Sequence, residues 1–395
     1  MIPRHLTSKI LALAQKFPVI TITGPRQAGK TTLIKNIFPT KTYFSLEDPD
    51  IRLIAQEDPR KFLEANPGGL ILDEVQRTPE IFSYIQTIVD KANKDGMFIL
   101  SGSQSFLLSD KISQSLSGRA AIFNLLPFSM SELAGTQTQP KIIDTFVFKG
   151  GYPRIYDKDI NPVDFFPSYV QTYIERDIRQ LQNVHNLDLF TRFLKLCAGR
   201  VGQLLNLTNL ANECGISVNT AKSWLSLLES SYIIYLLRPH HQNFNKRLIK
   251  MPKLYFYDTG LLCYFLGLES ASQTTFHYLH GEMFENLIIS EILKFRIHQG
   301  LPPNCYYWRD SKGNEIDCLL EWGSQLIPIE IKSTQTMNSK LWKGLQYWNK
   351  LSGQIAEAAI IYGGEHSLST ESGPLVSWKE LDAFLSHLSP INSHL

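Results

Sequence analysis

Nine consecutive residues near the start of the chain have the types and spacing of a loop that binds a polyphosphate. An apolar run over residues 17–23 precedes the loop and a helical pattern over residues 30–38 follows it, so the order is strand, glycine loop, helix. The glycines let backbone N–H groups close on phosphate oxygens, and the helix N-terminus adds positive charge. The predicted nucleotide-binding residues are Gly24, Pro25, Arg26, Gln27, Ala28, Gly29, Lys30, Thr31 and Thr32.

The end of this loop and two carboxylates further along the chain predict phosphoryl-transfer chemistry. We expect the Lys30 ammonium to contact the β- and γ-phosphates of ATP and the Thr31 hydroxyl to hold Mg²⁺. Asp73 and Glu74 end another apolar run. Asp73 would hold Mg²⁺, and Glu74 would polarise the attacking water. Phosphoryl transfer needs mainly positioning and charge neutralisation, so these few groups suffice.

Two more polar residues are candidates for catalytic roles, and each has two open interpretations. Ser101 lies at the end of an apolar run, where its hydroxyl either senses the γ-phosphate or belongs to a turn before Gly102. Arg119 precedes the next apolar run. An arginine there either reaches a nucleotide on a neighbouring subunit of a homo-oligomer or is an ordinary surface residue.

The elements that must position these side chains alternate between strands and helices over residues 1–140. Helices are predicted over residues 50–63 and 81–94, and strands over residues 17–23, 42–46, 69–74, 97–104 and 120–126. Buried strands that alternate with helices form a parallel, doubly wound α/β sheet, and ligands bind beyond the carboxyl ends of its strands. The phosphate loop, Asp73 and Ser101 all lie at such ends.

The alternation stops in the middle of the chain. Residues 141–185 are predicted to be helical, with a turn at residues 150–154, and residues 186–250 contain two helices around a turn, followed by a strand. This pattern predicts a winged helix, which binds DNA or serves as a lid or protein contact. The outward residues of its second helix are Asn219, Lys222 and Ser223, and a basic cluster follows at Arg238, Lys246, Arg247, Lys250 and Lys253.

A second group of residues that could perform chemistry lies in the C-terminal region, residues 251–395. Two predicted strands are separated by a two-residue turn, so the hairpin register places Asp317 opposite Glu330, and Lys332 shares their face. Opposed carboxylates repel one another, which favours a second divalent metal between them. Lys332 would steady a nucleophilic water or a scissile phosphate, and Glu285 on the preceding helix could complete the site. The alternative is a solvated hairpin face.

Composition limits the class of protein. The chain of 395 residues is 43% hydrophobic and 19% charged with a net charge of +2, which predicts two to three globular domains and no general affinity for nucleic acid. Five scattered cysteines fit free thiols in a reducing compartment. We find neither a signal-peptide pattern nor an apolar run long enough to span a membrane. These observations predict a cytoplasmic protein without a membrane partner.

With these residues collected, the chain resembles a widespread prokaryotic family. Its members join an AAA+ ATPase, with a P-loop domain like that of the archaeal ATPases, to a C-terminal restriction-endonuclease-like domain. The motifs that carry the resemblance are GPRQAGKTT, LILDEVQ, ILSGSQ, LPFSMSEL, GGYP, YIERDI, FYDTGL, GEMFEN, NEIDCLLE and IPIEIKS. The resemblance implies an AAA+ parallel sheet (1–140), a helical lid (141–185), a winged helix (186–250) and an α/β restriction-endonuclease-like domain (251–395).

The resemblance also implies roles for individual residues. The order of ATPase, lid and winged helix is similar to that of the signal-transducing ATPases with numerous domains, in which a Gly-x-Pro of the lid touches adenine. Residues 151–153 match that motif, which implies that Pro153 lies near the nucleotide. The PD-(D/E)xK nuclease pattern maps onto Asp317, Glu330 and Lys332. Pro328 departs from the pattern because it lies in the second strand, and Glu285 matches the helix acid of some such nucleases.

Three functions are compatible with these observations. The first is a Mg²⁺-dependent ATPase that works as a nucleotide switch. The second is a metal-dependent nuclease, gated by ATP, that acts on DNA in defence or DNA processing and contacts it through the winged helix and the C-terminal domain. The third is a regulator that binds ATP and a partner but hardly turns ATP over.

Overall fold

The structure is a computed structural model of the chain. It describes residues 2–103, 115–174, 186–241, 249–323, 325–353 and 358–388.

The N-terminal region contains a five-stranded parallel sheet in the order β2-β3-β4-β1-β5. Its strands are β1 (Val19–Thr23), β2 (Thr42–Ser45), β3 (Leu70–Asp73), β4 (Phe98–Ser101) and β5 (Ala120–Asn124). Strand β1 lies between β4 and β5, with Val19 opposite both Phe98 and Ala120. Strands β1, β3 and β4 are buried along their whole length, as expected for a parallel sheet covered on both faces. The predicted parallel α/β sheet is confirmed.

One helix precedes the first strand of this sheet, and the others follow its strands. They are α1 (Leu6–Leu13), α2 (Lys30–Ile37), α3 (Pro49–Glu57), α4 (Pro59–Glu64), α5 (Ile81–Ala92) and α6 (Met130–Leu133), with a 3₁₀ turn at Val75–Arg77. The single helix predicted over residues 50–63 is wrong, because Pro59 divides it. A residue before proline is disfavoured in the helical conformation, and Asp58 adopts φ −140° and caps α4 by accepting a hydrogen bond from the Lys61 N–H.

The middle region is helical up to a short strand. Its elements are α7 (Ile143–Lys149), α8 (Pro153–Asp157), α9 (Pro162–Tyr169), a π-helical turn (Val170–Ile174), α10 (Leu187–Ala198), α11 (Leu207–Cys214), α12 (Val218–Ser230) and β6 (Ile234–Leu237). Gly215, in the left-handed conformation, ends α11, and the Ser217 hydroxyl caps α12. The two helices and the turn predicted here are confirmed, and a strand follows them as predicted, while the assignment of a winged helix stays a prediction.

The C-terminal region is built on a six-stranded mixed sheet in the order β12-β13-β11-β10-β9-β8. Its strands are β8 (Cys305–Arg309), β9 (Glu315–Trp322), β10 (Gln325–Lys332), β11 (Ala359–Tyr362), β12 (Leu368–Thr370) and β13 (Gly373–Ser377). A separate strand, β7 (Lys253–Phe256), pairs antiparallel with β6. Strands β9 and β10 pair from Trp322 opposite Gln325 to Cys318 opposite Ile329. The hairpin register predicted from the two-residue turn is therefore confirmed.

One long helix connects this sheet with the rest of the chain. The C-terminal helices are α13 (Thr259–Phe265), α14 (Ala271–Phe276), α15 (His280–His298), α16 (Lys343–Ser352) and α17 (Leu381–Leu388), with 3₁₀ turns at Ser339–Trp342 and Trp378–Glu380. Helix α15 is buried along most of its length and lies in a hydrophobic core that extends from Phe128 to Leu385. The middle and C-terminal regions thus share one core. Within the described part of the chain, no helix combines the length and the apolar character needed to cross a membrane.

Candidate functional site

The phosphate loop connects β1 to α2, as its sequence predicts. Gly24 has φ +142°, and a Cβ there would overlap the Leu125 carbonyl oxygen, so only glycine fits. Gly29 adopts the left-handed conformation directly before Lys30, the first residue of α2. The loop therefore directs the N-terminal end of a helix toward the site, the geometry that binds phosphate.

Lys30 folds back over its own loop. Its ammonium donates hydrogen bonds to the carbonyl oxygens of Gly24 at 2.9 Å and Pro25 at 2.8 Å, and the residue is 6% exposed. A buried ammonium needs partners that compensate for lost hydration. Phosphate oxygens of a bound nucleotide would be stronger partners than carbonyls because they are charged.

Asp73, at the end of β3, accepts hydrogen bonds from hydroxyl groups on three other elements. Its Oδ2 accepts hydrogen bonds from Thr31 Oγ1 at 2.6 Å and from the Tyr43 hydroxyl at 2.9 Å, and its Oδ1 accepts one from Ser101 Oγ at 2.5 Å. The structure thus brings together three residues that the sequence predicted, Thr31, Asp73 and Ser101, and adds Tyr43. Burial and the Asp73 carboxylate both raise the pKa of Tyr43, so this residue stays a neutral donor.

Glu74 follows in a conformation that few non-glycine residues adopt. Its φ is +53°, and its Oε2 accepts hydrogen bonds from Gln76 Nε2 and from Ser103 Oγ, the latter at 3.3 Å. Backbone strain of this kind persists where the surroundings enforce it, often at functional sites. The turn holds the carboxylate next to Asp73 and toward Ser103, which follows β4.

The rest of the loop contacts the middle region of the chain and the N-terminus. Arg26 lies over the Tyr173 ring, 5.4 Å from its centroid, and Gln27 has φ +60°. Thr32 is exposed on the first turn of α2, and Ala28 is buried. Pro153, the first residue of α8, lies beside the loop: its Cγ is 3.8 Å from the position of a Cβ on Gly29. Contact between Pro153 and a bound nucleotide stays a prediction.

Arg4 also supports the loop, although no local sequence pattern predicts this role. The guanidinium donates to Ala28 O at 3.0 Å, to Leu126 O at 2.5 Å and to Glu132 Oε1 at 3.1 Å, and it lies over the Phe128 ring. These partners are 24 to 128 residues away along the chain, so only the folded structure brings them together. Arg4 therefore fixes the outer side of the phosphate loop.

Arg119 lies at the end of the parallel strands that is opposite to the phosphate loop. It directly precedes β5, whose first residue pairs with the first residue of β1, whereas the phosphate loop follows the last residue of β1. Its guanidinium makes two hydrogen bonds to Asp90, at 2.5 and 2.9 Å. The geometry therefore excludes contact with the nucleotide of its own subunit, and a role on a neighbouring subunit stays a prediction.

In the C-terminal region, Lys332 connects the two opposed carboxylates. Its Nζ lies 2.9 Å from Asp317 Oδ2 and 2.6 Å from Glu330 Oε2, and the Ile331 N–H also donates to Asp317 at 2.8 Å. Burial and the Asp317 charge raise the pKa of Glu330 to about 9, so this pair carries one negative charge rather than two near neutral pH. An ammonium and a proton therefore neutralise the pair without a metal.

Glu285 lies beside this pair and has its own buried partners. It accepts hydrogen bonds from Lys253 Nζ at 2.9 Å and from the Tyr255 hydroxyl at 2.5 Å, and Lys253 also pairs with Glu315 at 2.5 Å. Burial and Asp317 raise the pKa of Glu285 to about 7. The structure therefore brings together all four residues of the predicted nuclease site: Glu285, Asp317, Glu330 and Lys332.

Only some residues of the basic cluster predicted to contact DNA are exposed in the described part of the chain. Lys253 is 4% exposed and bound to two carboxylates, so its assignment to a DNA-binding surface is wrong. Arg238 lies 3.5 Å from Glu229, and Lys250 is exposed. Lys246 and Arg247 lie outside the described residues. On α12, Asn219 and Lys222 are exposed and Ser223 is half-buried.

An open cleft of about 440 Å³ is lined by Glu282, Glu285 and Lys332 among others. In the described part of the chain, no group of three or more histidine, cysteine, aspartate or glutamate side chains is arranged to hold a metal ion. The second divalent metal expected from the sequence therefore has no preformed site there.

Three family models match successive parts of the chain. Residues 16–134 match a model described as an AAA domain, residues 140–272 a domain of unknown function (DUF8612), and residues 280–381 a domain of unknown function (DUF4143). The chain is 29% identical to an uncharacterized protein of Mycobacterium tuberculosis over 371 residues, which cover 92% of this chain and 80% of that protein. An uncharacterized protein of Methanocaldococcus jannaschii is 23% identical over 331 residues, covering 76% and 71%.

Two solved structures match part of the chain at low identity and with low TM-scores. The Walker-type ATPase of Pyrococcus abyssi is 13% identical with a TM-score of 0.41, covering 67% of this chain and 96% of that one. AMPPCP-bound DnaA from Aquifex aeolicus is 16% identical with a TM-score of 0.31, covering 57% and 85%. The family match over residues 16–134, the sheet order and the phosphate loop together identify the N-terminal region as an AAA-type P-loop ATPase domain, which binds nucleotides.

Proposed function

We propose that the protein binds ATP with Mg²⁺ at the phosphate loop, hydrolyses it, and works as a nucleotide switch. Lys30 would bind the β- and γ-phosphates in place of its two carbonyl partners, and Thr31 and Asp73 would hold Mg²⁺. The cation supplies charge neutralisation for phosphoryl transfer. Glu74 would orient and polarise the attacking water, and Ser101 would keep the Asp73 carboxylate in position.

The observation that carries this proposal is the 2.6 Å hydrogen bond between Thr31 Oγ1 and Asp73 Oδ2. The two residues are 42 positions apart, Thr31 in the first turn of α2 and Asp73 at the end of β3, yet their oxygens lie side by side at the helix N-terminus. Mg²⁺ in phosphate-transfer sites is held through one or two protein oxygens together with phosphates and water. The pair supplies such oxygens within reach of the phosphate loop.

Removal of the Lys30 charge tests the binding step. The Lys30→Ala variant should lose ATP affinity by a factor of 100 or more in titration calorimetry with Mg²⁺. The loop would then lack the ammonium that compensates the phosphate charge, and charge-assisted hydrogen bonds are the strong ones. Lys61→Ala, which removes an exposed lysine of α4, is the matched control and should bind like the wild type. Unchanged affinity in Lys30→Ala would contradict the site.

A second candidate function is metal-dependent hydrolysis of a phosphodiester in the C-terminal region. It is favoured by the convergence of Glu285, Asp317, Glu330 and Lys332 beside one open cleft. Mg²⁺ or Mn²⁺ would have to displace Lys332 from the two opposed carboxylates. A DNA substrate would be held by phosphate contacts, so binding would weaken steeply with salt and depend little on sequence.

The test compares Asp317→Ala with the wild type on a mixture of DNA and RNA, with Mn²⁺ and ATP present. Cleavage by the wild type and by Glu371→Ala, an exposed control, with loss in Asp317→Ala, would support the nuclease. If the wild type neither binds metal nor cleaves, the region is structural or binds a partner. If all three proteins cleave equally, the assigned site is wrong.

A further inference from the structure

A short segment that begins at the last residue of β5 lies directly against the phosphate loop. The Leu125 N–H donates to the Thr23 carbonyl at 2.8 Å, and the Leu125 carbonyl oxygen occupies the space that a Cβ on Gly24 would need. We call residues 124–128 the contact segment. Because it packs on the first residue of the phosphate loop, a displacement of the segment would change the shape of the loop.

The first residue of the contact segment is bound by Tyr232, two residues after the last helix of the helix-turn-helix. The Tyr232 hydroxyl donates to Asn124 Oδ1 at 2.8 Å and lies 3.1 Å from Thr23 Oγ1. Thr23 Oγ1 in turn donates to Asn124 Oδ1 at 2.5 Å, and the two residues are paired across β1 and β5. The hydroxyl of Tyr232 therefore closes a polar triangle on the residue that directly precedes Gly24.

Tyr232 adopts an unfavourable backbone conformation in this position. It follows α12 with φ +57°, the left-handed conformation in which helices commonly end on glycine. A bulky aromatic residue with positive φ is an outlier. The residue is 9% exposed, and its ring packs edge-on against Tyr257. Strain held in place by the surrounding structure is frequent where an element performs a function.

The other end of the contact segment is bound by α15. The Leu126 N–H donates to His298 Nε2 at 3.3 Å, and Lys294 Nζ donates to the Phe128 carbonyl oxygen at 3.0 Å. The same helix carries Glu285 of the carboxylate cluster near its other end. The segment beside the phosphate loop is thus held both by the helix-turn-helix and by the long helix of the C-terminal region.

We propose that Tyr232 is a positioning residue for the phosphate loop, and that through it the nucleotide and the helix-turn-helix each influence the state of the other. This inference rests on ATP binding at the phosphate loop. A nucleotide that rearranges Gly24 and Thr23 changes the partners of the Tyr232 hydroxyl. Thermodynamic linkage is reciprocal. If a partner displaces the helix-turn-helix, the factor by which it changes ATP affinity equals the factor by which ATP changes affinity for that partner.

The test uses the full chain and the variant Tyr232→Phe, which retains the ring and removes only the hydroxyl. Mg²⁺ with a non-hydrolysable ATP analogue is the ligand, and hydrogen exchange and calorimetry are the readouts. In the wild type, amides of residues 19–31 and of residues 228–237 should both exchange more slowly with ligand. In Tyr232→Phe, the effect at residues 228–237 should disappear and the affinity should fall about five-fold or more.

Tyr347→Phe is the control, because it removes another hydrogen-bonded hydroxyl, the donor to Asp310 at 3.0 Å, in the C-terminal region. It should behave like the wild type in both measurements. If residues 19–31 respond to the ligand in the wild type while residues 228–237 do not, the coupling is refuted and the nucleotide site stands. If Tyr232→Phe retains wild-type affinity and both responses, the role of Tyr232 is refuted. If residues 19–31 do not respond in the wild type, the nucleotide site itself fails.

Discussion

Individual oxygen atoms at the strand ends determine what the phosphate site can bind. Both oxygens of Asp73 accept hydrogen bonds from hydroxyl groups, which fixes the carboxylate in one orientation beside Thr31. The Glu74 carboxylate accepts its hydrogen bonds from other groups, Gln76 and Ser103. The two neighbouring acids therefore have different surroundings, which suits a division between cation binding and orientation of water.

A buried histidine makes stability depend on pH. Burial lowers the pKa of His298 to about 3, although Glu132 faces Nδ1 at 3.5 Å, while Arg4 and Lys294 add positive charge nearby. An unfolded histidine takes up a proton near pH 6.5. Because only the unfolded state takes up this proton between pH 6.5 and about 3, stability is complete above pH 6.5 and falls as the pH is lowered through this range.

The variant His298→Gln should reduce this pH dependence. Between pH 7 and pH 5, the wild type should lose up to about 1.4 kcal/mol of unfolding free energy per pH unit more than the variant. Thermal or urea unfolding followed across this range provides the measurement. His387→Gln, which changes an exposed histidine of α17, should leave the wild-type curve unchanged. Parallel pH profiles for the wild type and His298→Gln would refute the assignment of a neutral buried histidine.

Residues whose roles follow from local spacing were predictable, and residues that act over long distances were not. Thr31 and Asp73 follow from the order of a glycine loop, a helix and an apolar strand with a polar end. Tyr43 and Arg4 reach the same site from β2 and from the N-terminus, and no residue spacing in the sequence predicts their roles. Lys253 was misassigned because a lysine near other basic residues suggests a surface, whereas the pairing of β7 buries it.

At the level of elements, the phosphate loop depends on close backbone contact with β5 and the residues after it. The hairpin of β9 and β10 was predictable to the residue because a two-residue turn leaves one register. The division of α3 from α4 was missed because the apolar stripe continues across Pro59. Contact between the loop and residues 124–128 was also beyond prediction, since it joins segments about 100 residues apart.

The contact at Gly24 predicts a strong effect of a single methyl group. Gly24→Ala would place a Cβ against the Leu125 carbonyl oxygen at φ +142°, so the loop must shift away from β5. We expect the free energy of unfolding to fall by about 1–3 kcal/mol and ATP binding to be lost. Gly68→Ala, at a glycine with open space around it, should change neither. Wild-type ATP affinity in Gly24→Ala, measured by calorimetry, would contradict the contact.

At the level of the whole molecule, the chain is one AAA-type domain connected to two regions that share a hydrophobic core. Helix α15 extends from the carboxylate cluster, through Glu285, to the contact segment beside the phosphate loop, through His298. The sequence analysis placed Glu285 on a helix but did not predict the burial of that helix on nearly all sides, which follows only from the packing of both regions around it. The structure thereby offers a continuous physical connection between the two sites.

Assembly of several copies is the whole-molecule property that Arg119 predicts. If Arg119 completes the nucleotide site of a neighbouring subunit, turnover per subunit should rise with protein concentration, and Arg119→Ala should bind ATP but hydrolyse it at least about 1000-fold more slowly. Phosphate release measured over a range of concentrations, alongside light scattering, tests this. A monomer at every concentration with full activity, or a fully active Arg119→Ala, would exclude the trans role.

The central claim is that the phosphate site hydrolyses ATP with Glu74 as the residue that activates water. Its most direct test is a comparison of ATP binding and phosphate release in the wild type and in Glu74→Gln, with Mg²⁺ present. The account predicts phosphate release by the wild type, and in Glu74→Gln an ATP affinity within about two-fold of the wild type with turnover reduced about 100-fold or more. Wild-type turnover in Glu74→Gln, or ATP binding by the wild type without any phosphate release, would contradict it.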